Sequence, residues 1–354
     1  MRRKSLLTIV TLLIGLSQVL PQDKQEQAKW KSPGEALNTF NLFEDEDILE
    51  LSLKFDITWF LQNKPEKNMD AILSYRYSES DSLNLNIKLR ARGNFRYNNC
   101  IFPPLRLDFD DIAFSHSDLK NIRDIKLVTH CDSSELYQQY LFREYLVYKL
   151  LNIVSDYSFR VRLLKIRYVD IGSGSHSFEH FAFALEPMDV LLDRLGATEL
   201  EDTVPVFETV DRDIIENISL FQYMIGNSDW NLPIMHNLRL ISLNGSNTGK
   251  LIALPYDFDY CGFVNTHYAM ARTDLGVESV RDRIYLGPCI ESDRLSTLLE
   301  EFEAHRDEFL STIRNFVYLD RPDRRDLEKY IISFYKEYKD NKIETNIGVN
   351  CINN

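Results

Sequence analysis

The chain has 354 residues, of which 54 are acidic and 41 are basic, so its formal net charge at pH 7 is −13. Nucleic acid is disfavoured as a partner because its phosphate backbone requires a basic protein face. With 44% hydrophobic residues, 13 Gly and 11 Pro, the chain is predicted to form one two-lobed globular domain or two close domains.

The amino-terminal segment has the pattern of a secretory signal peptide. Basic residues at positions 2–4 precede an apolar run over residues 6–16, which is too short to span a bilayer as a permanent anchor. We therefore predict a signal peptide over residues 1–17, export to the periplasm or cell surface, and no permanent membrane span after its removal. Because apolar residues continue beyond the run, a buried amino-terminal helix is the alternative. A polar leader is predicted over residues 18–43.

The next segment alternates apolar and polar residues, which is the period of half-buried antiparallel strands. One stretch instead has helical spacing, with apolar residues three to four positions apart. The order of these elements predicts an amino-terminal lobe, over about residues 44–186, made of a sheet and one helix. The predicted strands are 49–57, 83–89, 105–109, 125–128, 159–168 and 181–185, and the predicted helix is 135–152.

Helical spacing predominates in the second half of the chain. Its helices are rich in acidic and basic pairs at helical spacing, and they predict a mostly helical carboxy-terminal lobe over about residues 187–343. A polar tail is predicted over residues 344–354. The predicted helices are 211–225, 300–316 and 324–338.

An irregular polar segment over residues 263–289 precedes the last two predicted helices. It contains Arg281 and Arg283. Irregular polar segments on a rigid scaffold commonly shape a ligand or substrate cleft. These two arginines are therefore predicted either to receive an acidic or phosphorylated substrate or to form surface ion pairs.

Chemistry-bearing residues are concentrated between Gly226 and Gly262. The sequence G-N-S-D-W-N-L-P-I-M-H-N places Asp229 and Asn237 eight residues apart, beside predicted strand ends. A carboxylate can accept the proton of an attacking hydroxyl, and an amide oxygen can bind a divalent cation on a nucleotide. The pattern predicts a kinase-like site. Asn and Asp also dominate ordinary turns, so a purely structural turn is the alternative.

A second motif, P-Y-D-F-D-Y, follows an apolar strand over residues 251–254. Its two carboxylates, Asp257 and Asp259, have alternate spacing at the strand end, so they are predicted to project to one face and repel each other. A cation between them would relieve this repulsion. That cation is either a metal ion or a nearby arginine.

The motifs also occur in an order that resembles the spore coat protein H (CotH) kinase-like family. The order is R-G-N from residue 92, P-L-R-L-D-F from residue 104, an apolar helix after Tyr137, a strand ending in Glu186, and then G-N-S-D-W, H-N and D-F-D. The resemblance covers the chain from about Leu49 to Tyr260. Each motif alone is weak, and the order gives the match its specificity.

The resemblance implies an α+β, atypical protein-kinase-like two-lobed fold over residues 44–343, with an antiparallel-sheet-rich N-lobe and a mostly helical C-lobe. It also implies a metal-dependent transfer of phosphate from a nucleotide to protein Ser or Thr. By motif, Asp229 would be the catalytic base, and Asn237 and Asp257 would bind the metal. Asp259 is a second candidate ligand.

The resemblance also implies residues that bind the nucleotide. Arg92 and Arg106 stand where basic residues are expected to reach the phosphates, although no G-x-G-x-x-G loop occurs. Glu186 is predicted either to orient one of these cations or to cap the following helix. Trp230 is predicted either to stack on the nucleotide base or to pack in the core.

Export makes disulfide bonds plausible among the five cysteines. Because each pair flanks consecutive elements, we expect Cys100 to pair with Cys131 and Cys261 with Cys289, which leaves Cys351 unpaired. The sequence does not fix this connectivity. The alternatives are reduced buried cysteines and a zinc site formed by His130, Cys131 and His180.

The sequence therefore predicts an exported CotH-like kinase of bacterial type that uses ATP or another nucleotide with Mg²⁺ or Mn²⁺. Its partner would be an envelope or surface protein that carries the acceptor hydroxyl. Nucleotide is scarce outside the cytoplasm, so a catalytically inactive binding or assembly module of the cell surface is the main alternative. Metal-assisted phosphoester hydrolysis is a further alternative, because two carboxylates can also activate water.

Overall fold

A computed structural model describes residues 42–43, 47–76, 82–109, 122–172, 176–201, 203–245 and 249–352. The predicted signal peptide and nearly all of the polar leader lie outside these residues. Within them, no helix is long and apolar enough to cross a membrane.

Seven strands close into a barrel in the spatial order β1-β2-β3-β4-β5-β7-β6. Neighbouring strands are antiparallel except where β1 pairs in parallel with β6, with Leu49 opposite Leu164 and Phe55 opposite Asp170. This parallel contact closes the barrel. The strands are β1 (Leu49–Phe55), β2 (Met69–Arg76), β3 (Ser82–Ala91), β4 (Leu105–Asp108), β5 (Asp124–Val128), β6 (Val161–Asp170) and β7 (Ser177–Leu185).

The predicted two-lobed kinase fold is therefore wrong, because the strands form a closed mixed barrel with helices packed around it. The predicted alternation itself is present, since Leu53 and Phe55 on β1 and Leu89 on β3 are buried in the barrel core. Alternation of apolar and polar residues indicates only that one face of each strand is buried. The same pattern therefore occurs in an open sheet and in a barrel. Closure depends on pairing between strands more than one hundred residues apart, for which the sequence has no local pattern.

Nine helices lie in the described residues, and one of them, α3, is buried on several faces between the barrel and the other helices. The predicted helix over 300–316 is two helices that meet at His305. The helices are α1 (Ile57–Asn63), α2 (Phe95–Asn99), α3 (Glu135–Val154), α4 (Met188–Leu195), α5 (Arg212–Met224), α6 (Ser292–Ala304), α7 (Arg306–Asn315), α8 (Arg321–Lys339) and α9 (Lys342–Asn350).

A second, three-stranded antiparallel sheet has the order β10-β9-β8. Its strands are β8 (Ala197–Glu199), β9 (Leu238–Leu243) and β10 (Leu251–Pro255). The hairpin of β9 and β10 carries the two predicted motifs at its open end, so this small sheet positions the candidate site.

The disulfides match the prediction in part. Cys100 is bonded to Cys131, as predicted. The second predicted pair is wrong, because Cys289 is bonded to Cys351 and the buried thiol of Cys261 is free. The sequence did not indicate this bond because a helix over residues 342–350 includes much of the predicted polar tail and returns Cys351 to the body of the protein. The disulfide at Cys131 also excludes its thiolate as a zinc ligand.

Candidate functional site

The open end of the β9–β10 hairpin brings Asn237 and Asp257 together. Asn237 immediately precedes β9 and Asp257 follows β10, and the Tyr256 N–H donates to the Asn237 carbonyl oxygen over 3.1 Å. Asn237 and Asp257 have φ angles of 55° and 62°, in the left-handed region that non-glycine residues rarely occupy. Such strain is concentrated at functional sites, where the surrounding structure maintains it.

Two glycines join the two motifs to each other. The Gly262 N–H donates to the Gly226 carbonyl oxygen over 2.9 Å, and the Phe263 N–H donates to the Ile225 oxygen over 2.9 Å. A Cβ atom at Gly262 would lie 2.5 Å from the Tyr330 hydroxyl and 2.6 Å from the Val280 carbonyl oxygen. Only glycine permits this approach, which places the Asp229 loop beside the two aspartates of the second motif.

The Asp229 carboxylate is held from two sides. Its Oδ1 lies 3.0 Å from His236 Nε2, and Asn237 Nδ2 donates to its Oδ2 over 3.0 Å and to its main-chain oxygen over 2.7 Å. Both contacts of Asn237 use the amide nitrogen, so its Oδ1 remains available as an acceptor or ligand. Asp229 is therefore oriented while its side chain stays 34% exposed to the cleft.

Asp257 is a carboxylate in an electrostatically unfavourable position. Desolvation by the surrounding protein and the nearby charges of Asp259 and Asp229 raise its pKa to about 6, against the opposing effect of Arg96 and Arg92. The residue is exposed and lines the cleft, so solvent and ligands can reach it. Within the described residues its carboxylate has no hydrogen-bond donor, whereas its main-chain N–H donates to the Tyr148 hydroxyl over 3.0 Å.

Asp259 is instead bound by protein groups. Arg96 Nε donates to its Oδ2 over 3.1 Å and the Tyr268 hydroxyl donates to the same atom over 3.0 Å. Arg96 also contacts Glu144 on α3, with 2.5 Å between Nη2 and Oε2. An arginine, the second of the two cations that the sequence left open, therefore lies beside Asp259, and it does not contact the Asp257 carboxylate.

The Arg96 guanidinium contacts two carboxylates, those of Glu144 and Asp259. Burial alone would lower the pKa of Arg96, but Glu144 and Asp259 outweigh that effect and raise it. Burial raises the pKa of Glu144 to about 7, because the attraction of Arg96 is opposed by Asp259 and Asp257. Acidic groups thus outnumber the cation that contacts them, and Asp257 is the carboxylate left without a direct partner.

Two further cations lie near the carboxylates. Burial lowers the pKa of Arg92, while the Asp257 charge raises it, so the guanidinium is close to that carboxylate. Burial also lowers the pKa of Lys126 on β5, and the Arg92 charge lowers it further. In the part of the chain that the structure describes, neither side chain forms an ion pair. Arg92 lines the cleft and is therefore available to an anionic ligand, and Lys126 lies beside Arg92.

These groups surround a cleft of about 610 Å³. Its walls combine the loop around α2, the β9–β10 end and the segment after Asp257. The lining residues that bear on function are Arg92, Phe95, Arg96, Asp229, His236, Asn237, Asp257, Asp259 and Tyr260.

Three residues predicted for the site lie elsewhere. Arg106 forms an ion pair with Asp124 over 2.6 Å on the barrel surface. The Glu186 carboxylate accepts hydrogen bonds from Arg194 over 2.9 and 2.8 Å and from the Arg160 N–H over 3.0 Å. Trp230 is 3% exposed within an apolar cluster, so the packing alternative holds for it.

The arginines after the site also have structural partners. Arg281 contacts both carboxylate oxygens of Asp326, at 3.0 and 2.8 Å, and Arg283 contacts Glu337 at 2.6 Å. Both guanidiniums lie over the Tyr330 ring, at 4.6 and 4.2 Å from its centroid. The ion-pair alternative therefore holds for Arg281 and Arg283.

Sequence reasoning missed several residues of the cleft. Arg96 follows Arg92 by four positions in R-G-N-F-R, a spacing that could have marked it as a second cation. Glu144 lies beside Arg143 within a mostly apolar stretch of α3, and this pattern could have marked it because charged residues are rarely buried unless they are paired. Lys126 had no distinguishing pattern, and His236 was part of the H-N motif but was given no role.

The donor atoms suit a hard divalent cation. Asn237 Oδ1, the Asp257 carboxylate and the adjacent Asp229 carboxylate are oxygen ligands of the kind that Mg²⁺ and Mn²⁺ accept. Among the described residues, no group of three or more His, Cys, Asp and Glu side chains has the geometry of a preformed metal site.

The chain matches no protein-family model and no curated protein.

Proposed function

We propose that this protein is an exported, CotH-like phosphotransferase that moves phosphate from ATP or another nucleotide to Ser or Thr hydroxyls of an envelope or surface protein. The observation that carries the proposal is the position of Asp229, Asn237 and Asp257 in one cleft with the guanidinium of Arg92, which forms no ion pair within the described residues. This combination provides a proton acceptor, oxygen ligands and a phosphate-binding cation within one cavity.

The anionic part of the donor would bind to the cations. Arg92 has a planar set of donors that suits phosphate oxygens, and Lys126 adds a second positive charge beside it. Binding a polyphosphate would relieve the repulsion between these two cations. A bound Mg²⁺ or Mn²⁺, held by Asn237 and Asp257, would supply the remaining charge neutralisation on the phosphates.

Asp229 would act on the acceptor. Its contacts with His236 and Asn237 orient the carboxylate without covering it. The acceptor hydroxyl oxygen forms a bond to the terminal phosphorus, the bond from that phosphorus to the bridging oxygen breaks, and the nucleoside diphosphate leaves. The hydroxyl proton passes to an Asp229 carboxylate oxygen, so charge and atoms balance.

A binding or assembly module without turnover is the second candidate. It is supported by the contact of Arg96 with Asp259, because an arginine that neutralises this carboxylate reduces its need for a metal ion. Export also supports this candidate, since nucleotide is scarce outside the cytoplasm. The two disulfide bonds are compatible with export under either function.

The direct test is phosphate transfer. The full chain would be incubated with ATP and Mg²⁺ or Mn²⁺, and phosphorylated Ser and Thr would be sought by mass spectrometry on the chain itself and on added envelope proteins. We expect Asp229→Asn to lower the rate by about 10²–10⁴-fold. Arg106→Ala is the matched control, because Arg106 lies outside the cleft.

Each alternative gives a different result. Phosphate transfer that is equal in the unmutated and Asp229→Asn proteins would remove Asp229 as the proton acceptor. Release of inorganic phosphate without any phosphorylated protein would indicate a hydrolase. Absence of both nucleotide binding and turnover would favour the binding module.

A further inference from the structure

The two aspartates of the second motif are in different chemical states. Asp259 receives two hydrogen bonds at Oδ2, from Arg96 Nε and from the Tyr268 hydroxyl, and its main-chain oxygen accepts from Thr266 Oγ1 over 3.1 Å. Asp257, two residues earlier, has no donor to its carboxylate among the described residues. Only one of the two carboxylates is therefore free to bind a ligand.

Arg96 is fixed in place by contacts on both sides. Its guanidinium spans Asp259 at 3.1 Å and Glu144 at 2.5 Å, and Glu144 has a side-chain exposure of 1%. Removing Arg96 from Asp259 would leave a buried carboxylate without a counter-charge, which is strongly unfavourable. A mobile surface arginine could swing away when a metal ion arrives, but this arginine is held by a buried partner.

The short helix that carries Arg96 is itself attached to the barrel. Cys100, directly after α2, is bonded to Cys131, and Lys64 Nζ donates to the Cys100 carbonyl oxygen over 2.7 Å. The Phe102 N–H donates to the Cys131 carbonyl oxygen over 2.9 Å. These contacts fix the backbone on the carboxyl-terminal side of Arg96, and they belong to the barrel rather than to the hairpin that carries the aspartates.

Phosphoryl-transfer sites commonly use two divalent cations, held by carboxylates and an amide, to neutralise the phosphates. We propose that this site binds one divalent cation with the nucleotide, at Asn237 and Asp257, and that the Arg96 guanidinium permanently occupies the position of a second cation at Asp259. This inference rests on the proposed function. It adds a stoichiometry and a residue that determines it.

The number of bound ions tests the inference directly. The full chain would be titrated with Mn²⁺ in the presence of a nonhydrolysable ATP analogue, and bound Mn²⁺ would be counted by electron paramagnetic resonance. We expect one protein-bound ion per chain in the complex with the analogue, after subtraction of the Mn²⁺ bound to free analogue. Two ions in the unmutated protein would overturn the inference while leaving the proposed function intact. No ion and no bound analogue would instead refute the proposed function.

A variant set tests the role of Arg96. Arg96→Gln with Glu144→Gln removes the guanidinium and also the buried charge that it would leave unpaired, so folding can be preserved. We expect this double variant to bind a second Mn²⁺, whereas Glu144→Gln alone keeps one. Thermal unfolding would verify that each variant is folded. A single Mn²⁺ in the folded double variant would show that Arg96 does not occupy a cation position.

If the double variant does not fold, Tyr268→Phe gives a second route. This change removes one of the two donors to Asp259 and leaves Arg96 in place. The inference predicts one Mn²⁺ per chain in this variant, as in the unmutated protein. A second Mn²⁺ would mean that Arg96 alone does not exclude the ion, and it would contradict the inference.

Discussion

Two regions of this molecule bury ionisable side chains, and they do so in opposite ways. Beside the barrel core, the His130 ring stacks on His180 with centroids 3.9 Å apart, and it also contacts Phe102 and Tyr168. Burial and the neighbouring His180 lower the pKa of His130 to about 3, so the ring is neutral. In the cleft, by contrast, Arg96 contacts the carboxylates of Glu144 and Asp259.

The difference separates structural burial from functional burial. A neutral aromatic stack adds packing and requires no counter-charge, which suits a barrel core. Retaining several carboxylates around one guanidinium is electrostatically costly, and such clusters occur where a protein binds or transforms charged groups. The cleft, rather than the barrel, is therefore the candidate functional site.

The largest expected effect comes from breaking the charge cluster. Arg96→Ala would leave Glu144 and Asp259 buried without their cation, so we expect the free energy of unfolding to fall by about 3–5 kcal/mol. Chemical denaturation at neutral pH would measure it. Adding Glu144→Gln to this variant should recover part of the loss. A loss below about 1 kcal/mol would mean that the cluster is not electrostatically coupled.

A matched pair of Tyr→Phe substitutions compares the two regions directly. In the cleft the Tyr268 hydroxyl donates to Asp259, so its removal is expected to cost about 1.5–3 kcal/mol. The Tyr168 hydroxyl is buried with no hydrogen-bond partner among the described residues, so Tyr168→Phe should be neutral or slightly stabilising. Denaturation curves of the two variants test the contrast, and equal losses would contradict it.

A further difference between the two regions concerns pH. Because the folded-state pKa of His130 lies below its ordinary value of about 6.5, protons bind preferentially to the unfolded chain. Its contribution to stability is complete above pH 6.5 and is lost at about 1.4 kcal/mol per pH unit as the pH falls toward the folded-state value. His130→Phe should remove this part of the slope between pH 6.5 and 5. An unchanged slope would show that His130 is not buried in its neutral form.

The sequence predicted the parts of the site that depend on local structure. Asn237 and Asp257 lie together because they flank the strands of one hairpin, and Asp229 is joined to them through Gly226 and Gly262. These features arise within a segment of fewer than forty residues. Strand ends and turn residues in such a segment can be recognised from its spacing alone.

The parts that were missed depend on distant contacts. The partner of Arg96, Glu144, is 48 residues away, and barrel closure pairs β1 with β6 across more than one hundred residues. Arg106 lies in the P-L-R-L-D-F motif, but in the structure its side chain pairs with Asp124 on the neighbouring strand β5. A charged residue in a strand has the same sequence pattern whether it lines a cleft or forms a surface ion pair.

Substitutions of Arg92 and Arg106 test most directly the proposal that the cleft binds the nucleotide phosphates. Both were predicted phosphate ligands, but only Arg92 lines the cleft. Calorimetric titration with ATP and Mg²⁺ would compare the two variants with the unmutated chain. We expect an affinity loss of about tenfold to a hundredfold for Arg92→Ala and no change for Arg106→Ala. Equal losses, or unchanged affinity in Arg92→Ala, would contradict it.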